Sequence, residues 1–232
     1  MNNDKLSVII PVYNEADTLP EIVRRVLAVD IGMPLEVILV DDCSRDSSAE
    51  VIATLSHPSL KKVYLSSNVG KGGAIKEGLT YVTGSFVIFQ DADLEYDPQD
   101  YGTLLHKLGT SHYTVVMGNR FTPENRKYIK NTLFHYIGNQ FLRLIFSVLY
   151  LRYVPDAEPC YKLFRTSELR ELHVVSDRFE YDIELMCKLA KKGFTFLNCS
   201  ISYSPRSREE GKKISWKDGL IALRVMVLER FR

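Results

Sequence analysis

Short, predominantly apolar runs, each followed by a stretch of helical period, constrain this chain more than any other feature. Leu6-Ser7-Val8-Ile9-Ile10, Glu36-Val37-Ile38-Leu39-Val40, residues 62–65, Phe86-Val87-Ile88-Phe89 and residues 114–117 read as strands. Between them, 15–28, 47–55, 72–82 and 98–108 read as helices; in the first, Leu19, Ile22, Val23, Val26 and Leu27 recur at helical spacing. Strands without a polar face must be covered on both sides, and parallel neighbours need crossovers of helical length. The predicted architecture is an α/β fold with a mostly parallel central sheet flanked by helices. Such sheets bind ligands beyond the carboxyl ends of their strands, near a switch in strand order. Function is therefore expected in the loops after the first, second and fourth strands.

Unusual residues fall in those loops. The first strand empties into Pro11-Val12-Tyr13-Asn14-Glu15, and the second into Asp41-Asp42-Cys43-Ser44-Arg45-Asp46. After the third, Ser67-Asn68-Val69-Gly70-Lys71-Gly72-Gly73-Ala74 opens a helix, where glycines permit close approach and free N–H groups favour a phosphate. Walker spacing is absent, and no GxGxxG follows the first strand, so the dinucleotide fingerprint is missing. The fourth strand leads into Gln90-Asp91-Ala92-Asp93-Leu94-Glu95-Tyr96, with Asp97 and Asp100 just beyond. Carboxylates spaced i, i+2 along an extended strand end lie on one side, and crowded like charges raise each other's pKa unless a cation sits among them. The nearby donors are all oxygens, which suits Mg2+ or Mn2+ better than zinc. A bare D-x-D also fits a solvated acidic turn, so its context must decide.

Bulk properties narrow the classes. At 232 residues the chain suffices for one large α/β domain or two small ones, and a formal charge of +1 argues against bulk binding to nucleic acid. Cys43, Cys160, Cys187 and Cys199 show no CxxC or metal spacing and are expected as reduced, structural thiols of a cytoplasmic protein. The N-terminus runs directly into a strand, so no signal peptide is expected. Residues 133–151 are rich in Leu, Phe, Ile and Tyr, but His135, Asn139, Gln140 and Arg143 interrupt them. That segment fails as a membrane span on polarity, and reads as a buried amphipathic helix or one lying in the membrane interface.

The second half is less regular. Residues 119–130 are polar and hold Pro123; 131–151 and 180–192 read as helices, and 195–204 as strand. A basic run, Arg206-Ser207-Arg208-Glu209-Glu210-Gly211-Lys212-Lys213, precedes an apolar-and-basic helix at 216–232.

With these loops in place the chain resembles the family 2 glycosyltransferases of the GT-A fold, and more narrowly the dolichyl- and polyprenyl-phosphate glucose and mannose synthases. The resemblance runs over nearly the whole chain. It is carried by Ser7 to Glu15, Val40-Asp41-Asp42-Cys43-Ser44, Asn68-Val69-Gly70-Lys71-Gly72, Gln90 to Tyr96, Gly118-Asn119-Arg120-Phe121, Cys160-Tyr161-Lys162-Leu163-Phe164-Arg165 and the segment 206–214. It implies one GT-A domain over 1–232, with a nucleotide-sugar half at 1–118 and an acceptor half at 119–232. The implied reaction is inverting and metal-dependent: a hexose moves from a UDP- or GDP-sugar to a polyprenyl or dolichyl phosphate.

The resemblance also implies roles. Pro11, Tyr13 and Glu15 would line the nucleotide pocket, Asp42 would receive a donor of the base (a helix N-cap is its alternative), and Lys71 and Gly72 would lie over the nucleotide. Asp91, Ala92 and Asp93 would meet the diphosphate, with Asp91, Asp93 and Glu95 bracketing the metal; the family often has Gln where Glu95 stands. A metal stabilises a diphosphate leaving group without proton transfer. A lipid phosphate is already ionised, so the site would need cations rather than a base. Arg120, Arg206 and Lys213 are the candidates, beside Arg208 and Lys212, with Asp93 and Arg120 central to catalysis.

Two other readings share the donor site. A sugar-hydroxyl acceptor would require a base among Glu180, Asp182 and Glu184, acids that also suit a helix start. A non-catalytic nucleotide-sugar-binding protein would bind donor without transfer. His135 and Asn139, i and i+4 on an apolar helix, read as a packed polar pair or an acceptor-groove contact. Helices 133–151 and 216–232 are expected to attach the chain peripherally to the cytoplasmic face of the membrane. Relatives with appended spans suggest a membrane-protein partner or a homo-oligomer.

Overall fold

The computed structural model describes residues 4–123, 125, 133–154, 156–157, 159–206 and 216–232. The first half alternates as the periodicity predicts: β1 (Leu6–Val12), α1 (Leu19–Leu27), β2 (Leu35–Asp41), α2 (Ser48–Thr54), β3 (Leu60–Tyr64), α3 (Lys71–Tyr81) and β4 (Phe86–Phe89). A 3₁₀ turn at Pro98–Asp100 leads into α4 (Tyr101–Leu108) and β5 (Thr114–Asn119). The second half adds α5 (Leu133–Tyr150), β6 (Lys162–Arg165), α6 (Thr166–Arg170), α7 (Glu180–Lys191), β7 (Thr195–Ser200) and α8 (Trp216–Phe231).

All the strands join one sheet in the order β3-β2-β1-β4-β6-β5-β7. β1 pairs in parallel with β2 and β4, β2 with β3, and β5 with β7. β6 runs antiparallel to both β4 and β5, so the sheet is mostly parallel with one reversed strand. Its centre carries no polar face: Val8, Ile9, Ile10, Leu39, Val40, Val87 and Ile88 are all fully buried. Each such side chain contributes roughly 1.5–3 kcal/mol on leaving water, which is why the helices must cover both faces.

Three boundaries differ from the sequence reading, each for a local reason. The helix expected over 15–28 begins at Leu19, because Glu15 folds into a turn whose carbonyl accepts from the Thr18 and Leu19 amides at 3.2 and 3.0 Å. Pro20 then takes the first turn, where its missing N–H costs nothing. Residues 162–165, read only as a link between helices, form β6. The strand expected over 195–204 stops at Ser200, and Tyr203 instead makes an isolated bridge to Tyr96.

α5 and α8 pack together. α5 turns Leu142, Phe146 and Tyr150 inward, and the Tyr150 hydroxyl donates to the Met226 carbonyl of α8 at 2.8 Å. Its outer face leaves Ile137, Phe141, Leu144 and Val148 more than half exposed. Among the described residues, no helix is long and apolar enough to cross a membrane.

Candidate active site

The acidic loop sits at the carboxyl end of β4, between β1 and the reversed β6. Gln90 anchors it. This side chain is fully buried; its Oε1 accepts the Tyr101 and Tyr161 hydroxyls at 2.6 and 2.7 Å, and its Nε2 donates to the Asp91 carbonyl at 2.9 Å. Beyond Gln90 the backbone is no longer extended. It turns through Leu94 at φ 63°, and the Glu95 amide donates to Asp93 Oδ1 at 3.1 Å. The carboxylates are thus gathered by a turn, not by strand alternation as the i, i+2 spacing suggested.

Asp91 and Asp93 each face a cation that a second carboxylate shares. Lys71 Nζ, at the start of α3, stands 2.8 Å from Asp91 Oδ1 and 3.7 Å from Asp182 Oδ2 of α7. Desolvation works against the Lys71 ammonium, but Asp91 and Asp182 hold its pKa well above the ordinary value. Arg206 Nη2 lies 3.1 Å from Asp93 Oδ2, while its Nη1 and Nη2 reach Glu15 at 3.0 and 3.2 Å. Burial, with Asp91 and Glu95 alongside, pushes Asp93 up to about 7, against the pull of Arg206.

Glu95 holds the chain that carries Arg206. Its Oε1 accepts the Arg206 amide and its Oε2 the Tyr203 hydroxyl, both at 2.9 Å. Arg120 lies beneath this segment, in a bidentate pair with Asp156 at 2.7 and 2.8 Å, between the Phe121 and Tyr203 rings. Asn139 joins the same carboxylate, its Nδ2 donating to Asp156 Oδ1 at 2.8 Å. The polar partner of Asn139 is therefore Asp156; the His135 side chain lies outside the described residues.

Asp42, expected to receive a donor of the base, organises the loop after β3. Its carboxylate is 3% exposed and accepts from Val69 N at 2.7 Å, Gly70 N at 2.8 Å and Asn68 Nδ2 at 2.9 Å. Asp42 therefore shapes the 68–70 loop, and one acceptor position on Oδ1 remains for a ligand donor. Burial raises its pKa despite those amides. Gly70 adopts φ 97°, and the glycine at 72 is required by packing: a Cβ there would come within 2.8 Å of Tyr181 Cγ. Pro11 and Tyr13 lie at the end of β1 with partly exposed side chains, and Ala92 is buried. Lys213, with Arg208 and Lys212, lies outside the described residues.

One functional side chain was missed by sequence reasoning. Lys162 is fully buried on β6, and its Nζ donates to Asp182 Oδ1 at 2.7 Å and to the Pro159 carbonyl. The signal was present, since a lysine inside the apolar run Tyr161-Lys162-Leu163-Phe164 must find a carboxylate. Asp182 thus sits between two lysines. Burial opposes its ionisation, but Lys162 and Lys71 prevail and its pKa is lowered.

A divalent cation fits this loop. Asp91 and Asp93 offer oxygen donors only, and burial first, then the neighbouring Asp91 and Glu95 charges, raise the Asp93 pKa to about 7. Among the described residues, no three acidic, His or Cys side chains form a ready cage, so Glu95, expected as a third ligand, is not gathered with Asp91 and Asp93; its two oxygens are engaged by the Arg206 amide and the Tyr203 hydroxyl. That suits Mg2+ or Mn2+, which take one or two carboxylates and complete their shell from phosphates and water.

A family model decides the affiliation: that of "Glycosyl transferase family 2" matches residues 7–172. The chain belongs to glycosyl transferase family 2. The match takes in β1 through β6, including every loop of the donor side described above. Among curated proteins, the undecaprenyl-phosphate 4-deoxy-4-formamido-L-arabinose transferase of Salmonella dublin is 40% identical over 108 residues, 44% of this chain and 33% of that protein. The protein of the same name from Sodalis glossinidius is 38% identical over 121 residues, 50% of this chain and 37% of its own length. The chain thus spans about a third of the length of these curated relatives. Among solved structures, glucosyl-3-phosphoglycerate synthase from Mycobacterium tuberculosis, in complex with Mn2+, UDP and phosphoglyceric acid, superposes with a TM-score of 0.70. At 18% identity, covering 98% of this chain and 78% of that one, it shares the fold. The GT-A architecture expected from the sequence is borne out.

Proposed function

We propose that this family 2 glycosyltransferase moves a hexose, with inversion, from a UDP- or GDP-sugar to a polyprenyl phosphate. The observation that carries this reading is the commitment of two of the three acids at the start of α7, Asp182 and Glu184. Asp182 lies between Lys162 and Lys71. Glu184 accepts the Val175 and Ser176 amides and pairs with Lys188; burial opposes its ionisation, but these partners hold its pKa at about 2. Neither is placed to take a proton from a sugar hydroxyl, and a lipid phosphate needs none taken. The relatives named for undecaprenyl-phosphate transfer support the same acceptor class.

The geometry of the described residues supports the following division of roles, to which Lys213 is added from the sequence alone. When bound on Asp91 and Asp93, Mg2+ or Mn2+ supplies charge neutralisation to the diphosphate as the glycosidic bond breaks. Lys71 adds a second positive charge at the same edge, and Gln90 with its two tyrosines keeps the loop in place. Arg206, released from Asp93 and Glu15, presents its fork to the acceptor phosphate, with Lys213 as a second cation. Arg120 keeps Asp156 and supports the Tyr203 ring under that segment. Pro11, Tyr13, Asp42 and the 68–72 loop form the nucleotide side.

The chain works peripherally at the cytoplasmic face of a membrane in this reading, with the outer face of α5 toward lipid. The test supplies UDP- and GDP-hexoses, Mg2+ or Mn2+ and a polyprenyl phosphate, and looks for lipid-linked sugar. Transfer to free sugars instead, lost in Glu180→Gln, would replace the lipid acceptor by a hydroxyl acceptor. Donor binding with no transfer or hydrolysis would leave a binding protein.

A further inference from the structure

Four charges run in alternation from the core to the mouth of the site. Lys162 Nζ is 2.7 Å from Asp182 Oδ1, Asp182 Oδ2 is 3.7 Å from Lys71 Nζ, and Lys71 Nζ is 2.8 Å from Asp91 Oδ1. The inner lysine is fully buried and has a carboxylate of its own, so its position is fixed. Lys71 is shared: it leans on Asp91 and keeps Asp182 within reach. The glycines that open α3 bring this about. Gly72 lies against the Tyr181 side chain, and the Gly73 amide donates to the Asp177 carbonyl at 2.8 Å, seating the start of α3 on the start of α7.

We propose that Asp182 and Lys162 are positioning residues that set how strongly Lys71 competes for Asp91. The inference rests on the reading of Asp91 and Asp93 as the seat of a divalent cation. In the metal-free protein Lys71 covers Asp91. A cation arriving on Asp91 repels that ammonium, and Asp182 offers it a second carboxylate close by, so it remains at the site to face the diphosphate. Lys162 sets the strength of that second seat, because it already claims one oxygen of Asp182.

The two positioning residues therefore act in opposite directions through Lys71, and both effects should vanish in a Lys71→Met background, where the direct field of either charge would persist. Asp182→Asn leaves Lys71 only Asp91 and weakens Mn2+ binding. Lys162→Met leaves Asp182 only Lys71, draws the ammonium off Asp91 and strengthens Mn2+ binding. The expected size is about tenfold in each direction, that of a unit charge displaced by a few ångström at an effective dielectric of ~20. Lys71→Met, on a partly exposed side chain, strengthens Mn2+ binding alone and weakens the binding of UDP in the presence of Mn2+.

The experiment follows free Mn2+ by electron paramagnetic resonance, with and without UDP, and takes a thermal melt of each variant. Opposite shifts for Asp182→Asn and Lys162→Met that vanish when each is combined with Lys71→Met support the proposal; opposite shifts that persist there are the direct field of the two charges and overturn it. Shifts in the same direction overturn it. Should either buried variant fail to fold, Lys71→Met decides: unchanged or weaker Mn2+ binding overturns it. A wild-type chain that binds no Mn2+, with or without UDP, removes the metal site and this proposal together. Wild-type Mn2+ binding with like-signed variants removes the proposal alone.

Discussion

Arg206 and Asp93, far apart in the chain, meet at 3.1 Å, so the cation expected to steer the acceptor is docked on the carboxylate expected to hold the metal. The same guanidinium also reaches Glu15 at 3.0 Å, tying the loop after β1 to the loop after β4. Opening the site to donor and acceptor therefore means exchanging one cation for another on Asp93.

The first prediction is a pH dependence. Asp93 is raised from 3.8 to about 7 by burial, Asp91 and Glu95, and Mn2+ requires its ionised form. Affinity for Mn2+ should climb as pH rises toward about 7 and then level. Because the folded pKa is raised, the metal-free protein holds this contribution to stability below 3.8 and loses it as pH rises through about 7. Arg206→Gln removes the opposing charge, so the midpoint moves to higher pH. Calorimetric Mn2+ titrations across pH 5–9 (roughly two units either side of Asp93) check both; an unmoved midpoint in the variant counts against the pairing.

Asp93→Asn keeps the shape of the loop and removes its charge. Metal-dependent transfer should fall by about 100-fold or more, a loss typical of a displaced charge-stabilising group. Full turnover in this variant would contradict the proposed metal seat.

Asp156→Ala would strand the Arg120 guanidinium in a part-buried position, its side chain 14% exposed. Breaking such a pair costs about 3–5 kcal/mol, and urea unfolding measures it. Arg120→Met in the same background should recover part of the loss, since two apolar partners leave no orphaned charge.

Glycines at 72 and 138 should respond in opposite ways to alanine. A Cβ at 72 would meet Tyr181, so Gly72→Ala should cost about 1–3 kcal/mol by overpacking. Gly138, on α5, has nothing within 4 Å, so Gly138→Ala should gain about 0.5–1 kcal/mol from helix propensity. Thermal melts of the two variants decide.

Phe141 and Leu144 are 56% and 62% exposed on the outer face of α5. Replacing both with glutamate should abolish flotation with anionic liposomes while leaving Mn2+ binding intact. Flotation unchanged in that variant would move the attachment elsewhere.

The alternation of β1 to β4 with their helices was legible because β1, β2 and β4 are largely buried on both faces and announce themselves by composition, while β3, an edge strand with Val63 buried, lies between two helical periods. Asp91 and Asp93 were legible as a pair for the same reason, standing where β4 stops. Lys162 was not, because its apolar neighbours occupy four positions, too few to separate a short strand from a link. Its charge announced a carboxylate partner, but only β6 between β4 and β5 shows that the partner is Asp182. The helix start at Leu19 was misplaced by a turn that apolar periodicity does not register.

By itself the sequence determined the fold class, the family resemblance and the three loops where chemistry would sit, because burial and turn formation are local demands written into residue type. Tertiary structure decided which charges face one another: Arg206 on Asp93, Arg120 on Asp156, and Asp182 between Lys71 and Lys162. Those pairings join residues distant in the chain, and charge energetics depend on separation in space and on desolvation, neither of which is carried by spacing along the chain.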